Sequence, residues 1–327
     1  MIAWVIGRGG LLGSSVEEEI ASSGEAWWPA TPIAWLSMTD FRATIESAIG
    51  EFATHVEASP TSDWAILWCA GVGVVASEDH VFDDETEKLE IFLELLQGYR
   101  SRLPLSGALF FASSAGAVYA GSSAPPFTES SGVAPIGAYG AHKLECELMC
   151  ESFARKTRTK LVVGRITNLY GPGQNQDKRQ GLLTAACVSM VTRQPIFIYV
   201  PLETRRNFIY APDAGRMIVA CITRSLSARG ADPAIKIVGS DANTSISQLL
   251  FECARVFNRK PRVVSSIHPS ARLQPRDLRM KSIVWPDLDQ FTFTGLARGM
   301  AIVRAGIERD LQLGAFSALA GSDLAVK

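Results

Sequence analysis

Short apolar runs of strand length alternate along the chain with stretches in which apolar positions recur every third or fourth residue. The runs predict strands near residues 2–6, 27–30, 33–36, 64–69, 107–113, 160–165 and 235–238. The periodic stretches predict helices over 11–23, 41–52, 85–99, 137–157, 180–193, 212–227 and 245–257, with a last one near 295–311. Strands separated by helices are the pattern of βαβ units, whose crossovers build a parallel sheet, so the fold class is α/β. After Gly171-Pro172-Gly173 the alternation gives way to loop-rich sequence with scattered arginines and prolines, where a second lobe is expected to start. The helix at 212–227 and strand at 235–238 resume the earlier pattern, which predicts a return to the first lobe. On this reading residues 1–171, with return segments at about 205–240, form one domain, and residues 172–327 mainly form the other.

Composition narrows the partners. With 327 residues, 47% of them hydrophobic, the chain can bury one large core with a second lobe beside it. Lysine and arginine (32) nearly balance aspartate and glutamate (33), so no overall field would draw nucleic acid or an anionic membrane, and a small, locally charged substrate is the expected partner. The start, Met1-Ile2-Ala3-Trp4-Val5-Ile6, lacks a basic segment followed by a separate apolar stretch and cleavage site, which predicts a cytoplasmic protein. No window reaches the roughly 20 apolar residues of a membrane span; even Leu161 to Tyr170 is interrupted by Gly164, Arg165 and Asn168. The six cysteines show neither a CxxC nor a Cys/His cluster of zinc-ligand spacing, so they are expected as core thiols and no metal site is expected.

The first strand runs into Gly7-Arg8-Gly9-Gly10-Leu11-Leu12-Gly13 and then a helix. Glycines at Gly7, Gly10 and Gly13 let a backbone turn tightly and approach a pyrophosphate, whose charge rests at the helix N-terminus where Leu11 and Leu12 begin the first turn. Such a turn predicts a bound dinucleotide. The acidic residue that usually follows about 20 positions on, to bind the ribose of NAD, is missing; the stretch reads Trp27-Trp28-Pro29-Ala30-Thr31-Pro32. Arg8 either grips a 2′-phosphate bidentately, which favours NADP, or stands as a solvated loop charge. Asp40 and Phe41, after the strand expected at 33–36, are candidates to flank the adenine.

Four motifs then follow in order: Phe111-Ala112-Ser113-Ser114-Ala115-Gly116-Ala117-Val118-Tyr119; Tyr139-Gly140-Ala141-His142-Lys143; Arg165-Ile166-Thr167-Asn168-Leu169-Tyr170-Gly171-Pro172; and Arg206-Asn207-Phe208-Ile209-Tyr210. Together with the glycine turn they resemble the extended short-chain dehydrogenase/reductases, the NAD-dependent epimerase/dehydratase group, over nearly the whole chain. The resemblance implies a Rossmann-type doubly wound parallel sheet with a smaller C-terminal substrate lobe, NAD or NADP as cofactor, and a nucleotide-activated sugar as substrate. It also implies a homodimer through helices 85–99 and 137–157.

Residues i and i+4 share a helix face, so the Lys143 ammonium can stabilise a Tyr139 phenolate. A free tyrosine titrates at about pH 10, too high for a base at neutral pH unless a neighbouring cation lowers it. Tyr139 would take the proton from a sugar hydroxyl as hydride leaves its carbon. A serine at the end of the preceding strand would hold the reacting oxygen; Ser114 is the choice and Ser113 the fallback. Where the family commonly carries that hydroxyl, this chain has Ala115. His142, one residue from the lysine, is expected at the surface or an interface. Cys69-Ala70-Gly71 match the small residues that pass beneath the cofactor, and Asn168, Arg206 and Arg276 match positions that approach the sugar-nucleotide diphosphate.

Ala115-Gly116-Ala117 replaces the Asp-Glu pair typical of the family's dehydratases, which disfavours elimination of water. C4 epimerisation, or reduction of a keto sugar with NADPH, remains, with the epimerase preferred. A non-enzymatic dinucleotide sensor would keep the same fold, but it would not need Tyr139 and Lys143.

Overall fold

β1 (Ile2–Ile6) is buried along its whole length, as expected of a strand covered on both faces. The structure is a computed structural model that describes residues 1–22, 26–59, 63–73, 77–175, 181–230, 232–266, 274–291 and 294–314. After β1 come α1 (Leu11–Ala21), β2 (Ala26–Trp27), α2 (Met38–Ala58), β3 (Trp64–Trp68), α3 (Asp79–Gly98), β4 (Gly107–Ser114), the short α4 (Ala115–Val118), α5 (Ala138–Thr157) and β5 (Lys160–Ile166). Further on lie β6 (Asn168–Tyr170), α6 (Leu182–Thr192), β7 (Ile196–Ile198), β8 (Arg205–Tyr210), α7 (Ala211–Ser227) and β9 (Ala234–Val238). β10 (Asn243–Ser245), α8 (Ile246–Phe257), β11 (Val263–Ser265), β12 (Asp277–Leu278) and α9 (Leu296–Gln312) complete the described strands and α-helices.

The large sheet has the order β2-β1-β3-β4-β5-β9 and every pair in it is parallel. Side chains alternate between its faces, and the two faces differ in size. Trp4, Trp64, Ile66, Trp68, Leu109 and Phe111 pack on one side against α2, α3 and α5. Ala3, Ala65, Ala108, Val5 and Leu67 pack on the other against α1 and α7. The larger face holds an aromatic chain: Trp4 meets Trp27 at 5.3 Å between centroids, Trp68 meets Phe92 at 4.8 Å, and Trp35 meets Trp68 at 6.2 Å.

The chain leaves β1 towards β2, then crosses back to β3 on the opposite side. This reversal opens a crevice at the C-terminal ends of β1 and β3, the place where parallel sheets bind ligands.

β8 forms a second, mixed sheet with β10 antiparallel and with β12 and β6 parallel, while β7 and β11 pair separately. α6, α8 and α9 enclose a core of their own around Leu249, Cys253 and Met300. β9 rejoins the large sheet beside β5, whereas β8, inside the return segment expected from about residue 205, does not.

The strand expected at 33–36 is absent. Its apolar residues serve as a core-covering loop instead, with the Trp35 ring 5.3 Å from that of Phe41. The strand expected at 27–30 shrinks to Ala26–Trp27, since Pro29 and Pro32 lack the N–H a ladder needs. α2 starts earlier than expected, where the Ser37 hydroxyl caps the Asp40 N–H at 3.3 Å. α3 starts six residues before the expected 85, at Asp79. The expected start of the 180–193 helix lies outside the described residues. No helix among the described residues is long and apolar enough to cross a membrane, and none of their His, Cys, Asp and Glu side chains form a group of three that could hold a metal ion.

Candidate active site

The glycine turn is compressed against the end of β3. A Cβ on Gly7, whose φ is +90°, would lie 2.5 Å from the Ala70 nitrogen, and one on Gly13 would lie 2.2 Å from the Gly7 carbonyl oxygen. Both positions therefore require glycine. The Gly10 N–H closes the turn on the Gly7 carbonyl at 3.0 Å. Gly10 is also the N-cap of α1 and offers no side-chain cap, so the first-turn N–H groups at Leu11 and Leu12 remain suited to an anion.

Gly10, Leu11 and Leu12 line a cleft of about 520 Å3, together with Cys69, Ala70 and Gly71 after β3, Ser114 at the end of β4, and Tyr139 and Lys143 on α5. From the second sheet Asn168 and Arg206 reach the same cleft. Burial pushes the Cys69 thiol up to about 12, so it stays protonated and inert. Six residues expected at the site are not part of this lining. Gly7 and Gly13 act through backbone packing. Arg8 is exposed and paired with Glu17 at 3.4 Å. Asp40 is exposed on α2, and Phe41 is fully buried beside Trp35, which makes it a core residue rather than an adenine contact. Arg276 is exposed, and its described hydrogen bond is through its carbonyl, which accepts the Arg205 N–H at 2.8 Å.

The Lys143 ammonium lies 5.8 Å from the Tyr139 ring centroid and 5.5 Å from that of Phe111. Phe82 backs the tyrosine at 5.9 Å between rings. The two candidate serines differ in their engagement. Ser113 is buried and donates its hydroxyl to Glu147 at 2.5 Å. Ser114 is half-buried at the N-cap of α4 and makes no capping bond. Ala115, at the position where a hydroxyl was anticipated by resemblance, is a fully buried methyl group.

Behind Ser113, Glu147 accepts two bonds from Arg165, at 3.0 Å from Nε and 2.6 Å from Nη2, and Arg165 Nη1 donates to the Tyr119 hydroxyl at 2.6 Å. All four side chains of this network are buried.

His142, expected at the surface or an interface, is buried where α5 meets α3. Its Nε2 lies 3.2 Å from Glu85 Oε2 and its Nδ1 2.8 Å from the Thr86 hydroxyl. Being three residues after Tyr139, it falls on nearly the same helix face as the tyrosine, a spacing that would have revealed it. Glu147, four after Lys143, follows the same rule.

Arg206 is buried on β8. Its Nη1 donates to the carbonyls of Arg205 at 2.9 Å and Pro275 at 2.8 Å. Burial lowers its pKa to about 10 against the opposing charge of Asp277. A desolvated guanidinium bordering a cleft is a strong site for an anion with paired oxygens. Asn168 donates its amide to the Asn207 carbonyl at 2.8 Å.

The sequence profile of the NAD dependent epimerase/dehydratase family matches residues 3–232. The chain belongs to that family. A curated relative, dTDP-4-dehydro-6-deoxyglucose reductase from Escherichia coli, is 31% identical over 152 residues, a match that spans 46% of each chain and so less than half of that relative. Among solved structures, a UDP-glucose 4-epimerase from Thermotoga maritima with UDP-glucose superposes with a TM-score of 0.75 at 18% identity, covering 95% of this chain and 100% of that one. RMD from Pseudomonas aeruginosa, complexed with NADPH, gives a TM-score of 0.70 at 19% identity, covering 94% and 98%. These likenesses establish the epimerase/dehydratase fold. The crevice at the switch point of the large sheet is thus that of an epimerase/dehydratase family member.

Proposed function

We propose that this member of the family binds NAD or NADP along the uncapped N-terminus of α1 and inverts C4 of a nucleotide-activated sugar by transient oxidation. One observation carries the reading: Tyr139, Lys143 and Ser114 share a single cleft with Arg206, a buried cation from the second sheet. The residues fit the dinucleotide, because the close contacts at Gly7 and Gly13 bring the α1 N-terminus up to the cleft without a side chain in between. A bound nicotinamide would supply a hydride acceptor and donor. Tyr139 would remove the proton from the C4 hydroxyl, the Lys143 ammonium would stabilise the resulting phenolate, and Ser114 would hold the substrate oxygen. Cys69, Ala70 and Gly71 would form the floor, and Asn168 and Arg206 would hold the diphosphate. With Ala115-Gly116-Ala117 beside the cleft, no acid–base pair stands there to expel water. In this proposal residues 1–171 with α7 and β9 bind the dinucleotide, residues 172–327 mainly bind the sugar nucleotide, and the enzyme works in the cytoplasm as a homodimer through α3 and α5.

A second reading is reduction of a nucleotide keto sugar with NADPH. Arg8 in the glycine turn and the lack of a carboxylate between Trp27 and Pro32 favour it, and the Escherichia coli relative bears a reductase name. Mass spectrometry of nucleotide released from denatured, freshly purified protein, followed by titration of the empty protein with NADH and NADPH, separates the two. Retained NAD supports the epimerase and an empty site preferring NADPH supports the reductase. Binding of neither would overturn both.

Arg206→Ala is expected to raise KM for the nucleotide sugar by about 10- to 100-fold with kcat nearly unchanged, because a charge-assisted anion contact is lost equally from ground and transition states. Steady-state kinetics checks this. A fall in kcat alone would contradict a simple diphosphate anchor.

A further inference from the structure

α3 shows solvent an acidic face made of Asp83, Asp84, Glu87, Glu90 and Glu94, but Glu85 turns inward to the wall of the cleft. Its side chain is only 12% exposed. Oε1 accepts the N–H groups of Val72 at 2.5 Å and Gly73 at 2.6 Å, both in the loop that continues from the Cys69-Ala70-Gly71 floor. Oε2 faces His142 Nε2 on α5. A carboxylate can only accept, so that ring nitrogen carries the hydrogen, and the Thr86 hydroxyl complements the other. A Cβ added to Gly71 would stand 3.4 Å from Glu85 Oε2 and 3.6 Å from Lys143 Nζ, so the carboxylate and the ammonium border one point of the loop. The His142 ring stacks on Phe82 at 5.4 Å, and Phe82 in turn backs Tyr139.

Burial raises the Glu85 carboxyl, but the His142 hydrogen bond, the Lys143 charge and the two backbone N–H groups outweigh it and hold it at about 2. The group is therefore ionised at neutral pH. A buried carboxylate is costly unless each oxygen is engaged, and here the partners are the cleft loop on one side and the helix of the Tyr139/Lys143 pair on the other. An apolar residue at this position would leave the Val72 and Gly73 N–H groups without this acceptor.

We propose that Glu85 is a positioning residue, tying the 71–73 loop to α5 through His142 so that the cofactor floor and the Lys143 ammonium keep a fixed relation to Tyr139. It acts through its neighbours and touches no reacting atom. The inference rests on the cleft being the dinucleotide site.

Glu85→Ala and Glu85→Gln test it by hydrogen exchange of the 70–73 segment without added nucleotide, titration with NADH and NADPH, and steady-state turnover. In Glu85→Ala the Val72 and Gly73 amides should exchange at least about tenfold faster, nucleotide affinity should fall by about tenfold, and kcat should drop by about 10- to 100-fold, with sugar-nucleotide KM within about twofold. Glutamine still accepts both N–H groups and can donate to the other tautomer of His142, so Glu85→Gln should restore exchange and affinity close to those of the native protein. Unchanged exchange and affinity in Glu85→Ala, or no rescue by glutamine, would overturn the proposal. Exchange is read without nucleotide or sugar, so a failure to turn over nucleotide sugars would count against the proposed reaction and leave this result standing.

Discussion

Tyr139→Phe is expected to lower turnover by about 100- to 10,000-fold while NADH and NADPH bind within about twofold of their original affinity. The substitution removes a single oxygen. Phenylalanine keeps the ring against Phe82 and beside the Lys143 ammonium, so packing and cofactor contacts should survive. What is lost is the group that, in the proposed reaction, would exchange a proton with the sugar hydroxyl. Turnover that persisted in Tyr139→Phe would remove the basis for the assigned chemistry, whatever the fold. Loss of both turnover and nucleotide binding would instead mean that the tyrosine had been holding the cleft open.

The largest stability effect is expected at Glu147. Removing its carboxylate in Glu147→Ala leaves Arg165, 4% exposed, as a buried charge without its bidentate partner, at a cost of about 3–5 kcal/mol. Ser113 loses its acceptor as well, and Arg165 is left with the Tyr119 hydroxyl alone in a network that joins β4, β5 and α5. Urea unfolding of the variant measures the cost. The double variant Glu147→Met/Arg165→Leu removes both charges and should recover most of the lost stability, since a buried pair replaced by apolar side chains of similar volume is often neutral. A cost below about 1 kcal/mol in Glu147→Ala would mean that Arg165 is solvated after all.

The parts of the fold that could be read from the chain are those in which one physical signal dominates. α1, α7 and α9 bury a stripe rich in apolar side chains, so their period survives in the sequence. β1, β3, β4 and β5 are covered on both faces and read as plain apolar runs. Ile33-Ala34-Trp35-Leu36 has the same composition for another reason: Trp35 closes the core from a loop, and a short apolar run does not reveal which role it plays. Most strands around β8 are two or three residues long, too short for alternation to register. At the candidate site, the glycine turn, Tyr139, Lys143 and Arg206 stood out because their chemistry depends on local spacing. Glu85 did not, because its meaning comes from the loop after β3 and from His142, 57 residues away. Arg276 carried a suggestive charge, but its side chain stays in solvent outside the cleft lining.

The aromatic chain on the larger face of the sheet also makes the molecule optically lopsided. Six of its seven indoles, at Trp4, Trp27, Trp28, Trp35, Trp64 and Trp68, fall within the first 68 residues, and the seventh is Trp285. Intrinsic fluorescence and near-ultraviolet dichroism will thus be dominated by the half that carries the glycine turn. Closure or melting around α6, α8 and β8 would pass almost unseen by these probes. Emission and far-ultraviolet curves that separate on heating would expose the two halves coming apart at different temperatures.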